Sequence, residues 1–109
     1  MAKRLRALHH PRTDEIDLVA VLHALADPVR LAVAVALADG AEHACGSFDF
    51  GITGASLSHH FRVLRECGVT TTRPEGRQRL ISLRQADLEH RFPGVLGPLL
   101  AAAATATRP

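Results

Sequence analysis

A chain of 109 residues with 47% apolar content and a mean hydropathy of +0.07 has the size of one domain built on a single core. Its apolar runs are too short and too often broken by charge to span a bilayer. No apolar stretch of signal length follows the basic N-terminus, so a cytoplasmic protein without membrane association is expected. The net charge of +2 divides unevenly, with +4 over residues 1–12, −6 over 13–53 and +4 over 54–84. The last block, six arginines against two glutamates, suits a face turned to a polyanion, although an ordinary solvated surface explains the charge equally well.

Residues 1–13 read as a flexible basic arm, carrying Lys3, Arg4, Arg6 and Arg12. Thr13 or Asp14 is placed to cap a first helix running to about Leu25, with Ile16, Val19, Leu22 and Leu25 three apart on one stripe. Asp27-Pro28 suits the cap and first turn of a second helix, where the missing proline N–H is not needed. That helix, to about Ala38, is apolar on all sides except for Arg30, which places it in the centre of a core; Asp39-Gly40 ends it.

Residues 40–53 alternate Phe48, Phe50 and Ile52 like a strand but are broken by Gly46 and Gly51, and read locally as irregular. A third helix follows over about 54–67. Leu57, Phe61 and Leu64 form its buried stripe, and Gly68-Val69 supplies a left-handed stop with its hydrophobic contact. Residues 69–73 and 78–83, separated by Pro74-Glu75-Gly76-Arg77, predict a β-hairpin. A last helical region starts near Gln85, breaks at Phe92-Pro93-Gly94 and continues through 95–104 with little charge, which suits burial against a partner subunit.

The third helix leaves Ser56, Ser58, His59 and Arg62 on the face opposite its apolar stripe, mostly near its N-terminal end. That is the end of a recognition helix that meets base edges in the major groove. Arg65 on the same helix, and Arg73, Arg77 and Arg79 on the hairpin, add cations suited to phosphate. No Trp or Tyr is present to stack single-stranded bases. No phosphate loop, nucleophile elbow or HExxH points to an enzyme.

Three stretches, Leu25-Ala26-Asp27-Pro28-Val29-Arg30-Leu31, the run from Ser56 through His59-His60 and Leu64-Arg65 to Gly68-Val69, and Glu75-Gly76-Arg77, resemble the ArsR/SmtB family of bacterial regulators. The resemblance covers roughly residues 15–100. It implies a mainly α fold with a small β-hairpin wing (α+β), a winged helix-turn-helix domain over 14–105. It implies a homodimer formed by the first and last helices, binding double-stranded operator DNA as a repressor released by an inducer. Ser56, Ser58, His59 and Arg62 fall at the family's base- and backbone-contacting positions, and Arg77 at its wing tip. The family also implies a regular helix within 40–53.

Departures from the family limit what is carried over. Metal-sensing members have a CxC-type pair before the recognition helix, where this chain has the single Cys45. Others place ligands along the last helix, where Asp87, Glu89 and His90 lack a downstream His-x-x-Glu. No metal or cofactor is therefore expected, and the effector is left open. Cys45 and Cys67 are a candidate redox or thiolate pair, against which stands their reading as inert small hydrophobes. His23 and His90 are candidates for an intersubunit site, with interface packing as the plainer reading. A winged-helix module that binds protein and has lost specific DNA binding is the alternative from a different class.

Overall fold

The computed structural model describes residues 8–106. Helix α1 spans Leu18–Leu25, α2 Pro28–Ala36, α3 Gly54–Glu66, α4 Gln85–Arg91 and α5 Leu96–Ala106. Strands β1 (His43–Ala44), β2 (Thr70–Glu75) and β3 (Gln78–Leu83) form one antiparallel sheet in the order β1-β3-β2. The chain is therefore mainly helical with a small sheet, as expected. Among the described residues no single helix is long and apolar enough to cross a membrane.

The local signals act largely where the sequence places them. The Asp27 carboxylate accepts from the N–H groups of Val29 and Arg30 at 2.9 and 3.1 Å, and Pro28 opens α2. A 3₁₀ turn at Leu37–Asp39 and Gly40, at φ +81°, end it. Helix α3 closes in a Schellman motif, with Val69 N–H donating to Leu64 O and Gly68 N–H to Arg65 O.

Helix α1 starts later than expected. Residues Thr13–Glu15 form a separate 3₁₀ turn, and Asp17, which accepts from Ala20 N–H, is the true cap. The break between them falls at Ile16, extended and only 1% exposed, whose side chain goes into the core beneath Gly68. The hairpin is also longer than expected. Pro74 and Glu75 pair with Arg79 and Gln78, which leaves Gly76-Arg77 as a two-residue turn with positive φ only at Gly76. Strand β2 is an edge of the sheet, where a proline is tolerated.

Residues 8–13 depart from the flexible-arm expectation, while 1–7 lie outside the described residues. His10 Nε2 accepts the backbone N–H of Thr72 on the edge strand, and Arg84 donates to Pro11 O at 2.8 Å. Between 40 and 53 the regular helix implied by the family is absent. A two-residue strand, a 3₁₀ turn at Cys45–Ser47 and irregular chain take its place, as the glycines suggest.

The core joins all of these elements, with Ile16, Val33, Leu37, Leu64, Val69, Ile81 and Leu88 sealed from solvent. Arg30 is buried among them. Its Nε donates to Ala24 O at 2.6 Å and another nitrogen to His23 O, satisfying carbonyls at the end of α1.

Candidate nucleic-acid interface

Helix α3 is anchored on three sides. Phe61 and Leu64 are buried in the core, Thr53 Oγ1 accepts from Ser56 N–H to cap the first turn, and His60 is held from below. Arg30 donates to His60 Nδ1 at 3.1 Å, and the same ring nitrogen lies 3.8 Å from the Asp27 carboxylate. Burial works against charge on Asp27. The N–H of Arg30, the proximity of His60 and the N–H of Val29 outweigh it and hold the carboxyl below its ordinary range. One residue set thus caps α2, finishes α1 and seats α3.

On this seated helix Ser56, Ser58, His59 and Arg62 are all exposed. Arg62 donates to His59 Nδ1 at 3.3 Å, so the two act as a pair one helical turn apart. The His59 and His60 rings are 5.8 Å apart and tilted, each taking a different arginine, an arrangement that does not chelate one ion. No group of three or more His, Cys, Asp or Glu among the described residues is placed to hold a metal.

The four other candidate arginines separate into three kinds. Arg77 stands exposed at the hairpin turn and Arg79 exposed on β3. Arg73 is engaged: it grips both oxygens of Glu42 at 2.7 and 2.9 Å and Glu75 at 2.6 Å. Its hydrogen bonds to Glu42 and then to Glu75 push its pKa far above the ordinary arginine range. It therefore braces the outer strand against the chain before β1. Arg65 is half-buried, with Nε out of solvent and without a partner among the described residues.

Cys45 lies in the turn after β1 and Cys67 caps the far end of α3, both as free thiols. Burial pushes both thiols up, at Cys45 against the pull of Arg79 and Arg65, which leaves them protonated and poorly nucleophilic near neutrality.

No family model matches the chain. The YceK protein of Bacillus subtilis (strain 168), named an uncharacterized HTH-type transcriptional regulator, is 34% identical over 91 residues. The match covers 81% of this chain and 91% of YceK. The crystal structure of the transcriptional repressor BigR from Xylella fastidiosa superposes with a TM-score of 0.63 at 29% identity, over 84% of this chain and 87% of that one. A crystal structure of an ArsR family transcriptional regulator shares the fold, with a TM-score of 0.62 at 24% identity over 82% and 93% of the two chains. The chain belongs to the ArsR family of helix-turn-helix transcriptional regulators.

Membership of this ArsR family makes the chain a regulator rather than an enzyme, and its three-stranded sheet is the wing of a winged helix-turn-helix fold. Two working residues of the ArsR-family chain were not legible as such. Arg30 carries one signal, a lone cation in an otherwise apolar helix just after a cap. Glu42 carries none, since its pairing with Arg73 spans 31 residues.

Proposed function

We propose that this chain is a homodimeric repressor that reads double-stranded operator DNA in the cytoplasm with α3 and releases it on binding a small effector. The observation that carries the reading is the exposed row Ser56, His59 and Arg62 on a helix whose other face is locked into the core. Such a helix presents donors and acceptors to base edges without having to order itself first. Ser58 stands beside the row, and Arg77 and Arg79 on the wing supply phosphate contacts. Arg73 serves by bracing the wing, since its charge is already answered by two carboxylates.

The dimer is formed by α1 and α5. Leu18, Val19 and Leu22 are exposed on α1, and Leu18 and Leu22 border a narrow apolar cleft with Val95 and Leu99. A two-fold axis through that face sets two α3 helices on successive major grooves, so the operator is an inverted repeat. His23 on α1 and His90 on α4 are both exposed, and His90 stands apart from this face beside Thr13, Asp14 and Asp87, so neither is given a shared site. The cysteines, protonated and half-buried, are given no sensing role.

The test is a binding titration on the DNA upstream of the chain's own gene, beside a scrambled duplex, over a series of salt concentrations. Tight binding that prefers the native duplex and falls steeply with salt is expected. Equal weak binding to both duplexes overturns the reading in favour of a protein-interaction module.

A further inference from the structure

Leu57, Phe61 and Arg65 follow one another at four-residue spacing along α3, and the stripe they form is not fully covered. Between it, the Cys45–Ser47 turn and strands β2 and β3 lies an open-sided cavity of about 240 Å³. The segment over this cavity is the one where a regular helix is missing. It brings little volume: Gly46 has no side chain, and a Cβ there would meet nothing within 4 Å.

The lining is lopsided. Arg65, Arg79, Ser58 and Thr72 supply polar groups, Leu57 and Phe61 an apolar wall, and no carboxylate lines the cavity. Two of the polar groups are unfinished. Thr72 is only 4% exposed, and its Oγ1 has no hydrogen-bond partner among the described residues; the same holds for Nε of Arg65. The other arginines that enter the fold are all answered: Arg30 by Ala24 O and His60, Arg84 by Asp87 and Pro11 O, and Arg91 by Ile16 O. Buried polar groups left open cost stability unless something else completes them, so the open Nε of Arg65 and the open hydroxyl of Thr72, two residues of one lining, call for an acceptor.

We propose that this cavity binds a small organic carboxylate. Arg65 and Arg79 take its two oxygens, the Thr72 hydroxyl donates a further hydrogen bond, and its apolar body lies on Leu57 and Phe61. A planar carboxylate matches the guanidinium fork, and the apolar wall favours an organic ion over an inorganic one. The volume is below that of a drug-sized site, which limits the ligand to a small acid. Ligand and operator then compete for Arg79 and Ser58, so each lowers the affinity of the other. That consequence, unlike the site itself, rests on the DNA-binding reading.

Calorimetric titration of the full chain without DNA tests the site, using benzoate and isobutyrate as probes. Benzamide serves as the uncharged match to benzoate, and sulfate as the inorganic anion. Both carboxylates are expected to bind once per chain, with benzamide and sulfate weaker by about tenfold or more. Thr72→Val and Arg65→Gln are expected to weaken benzoate by about tenfold or more. Thr70→Val, the same change at a buried hydroxyl outside the lining, is expected to leave it unchanged. Absence of binding by both carboxylates at millimolar concentration overturns the proposal, as does benzoate binding that survives Thr72→Val, or sulfate binding as well as benzoate. In a second arm benzoate is added to the operator complex. Release from the wild type but not from Thr72→Val supports the linkage, and binding of benzoate without release overturns the linkage alone.

Discussion

At Gly68 the backbone turns through φ +88° one residue past the cap of α3, and a Cβ there would lie 2.7 Å from Cγ1 of Ile16. The position is constrained twice, by a left-handed conformation and by contact with a fully buried side chain. Gly68→Ala is expected to cost about 2–4 kcal/mol, the sum of the conformational penalty and the displacement of Ile16. The urea midpoint measures it; a loss near that of an exposed helix alanine would show that Ile16 moves freely. Thr70 presents the opposite case. Its hydroxyl is fully buried without a partner among the described residues, so Thr70→Val removes an unanswered group while keeping the shape. A gain of about 1 kcal/mol in the same measurement is expected.

Among the elements, α3 depends on a side chain of the preceding helix, α2. Arg30 satisfies carbonyls at the end of α1 and holds His60, so Arg30→Met strands the Ala24 carbonyl and unseats α3 together. A loss of about 2–3 kcal/mol in unfolding free energy is expected, with a weaker preference for operator over scrambled DNA. An unchanged preference would show that the core alone orients α3. What was legible in the sequence follows the same division. The Asp27-Pro28 cap, the Gly68 stop, the apolar stripe of α3 and the hairpin are written in contiguous residues, and so could be read. Strand β1 is two residues long and exists because His43 and Ala44 meet Ile81 and Leu80, a pairing no local pattern announces. The exposed face of α3 was legible because the apolar stripe defines it by default. The engagement of Arg73 with Glu42 and the inward position of Arg65 were not, because both depend on how the sheet approaches the helix.

For the molecule as a whole, the short stretch before α1 closes the edge of the sheet and makes stability depend on pH. His10 accepts the Thr72 N–H and must be neutral at Nε2 to do so; burial is the main cause that lowers its pKa from the ordinary histidine value. Below that ordinary value, about 6.5, the unfolded chain takes up a proton that the folded chain refuses. Stability from this contact is thus complete above about pH 6.5 and is lost as pH falls through the lower folded value. His10→Gln can still accept the N–H but does not titrate. Its thermal midpoint should fall less than that of the wild type between neutral and mildly acidic pH; parallel curves would remove His10 as the cause.

The proposed dimer is the other property of the whole molecule, and it is where the proposed function depends most directly on the fold. Val19 is 72% exposed on α1 and Leu22 43%, so neither holds the single chain together, yet Leu22 borders the apolar cleft that α1 shares with α5 and Val19 stands one helical turn before it. A carboxylate there leaves the protomer folded but puts an unpaired charge against its own symmetry mate across a two-fold axis. Val19→Asp is therefore expected to sediment as a monomer with an unchanged circular dichroism spectrum. Its operator affinity should fall by about a hundredfold or more, because the second half-site is no longer delivered at high effective concentration. The slope of log affinity against log salt should fall to roughly half, as half of the phosphate contacts are lost. A monomer that kept the wild-type slope would mean that one chain makes all the contacts, and a Val19→Asp chain that stayed dimeric would move the interface away from α1.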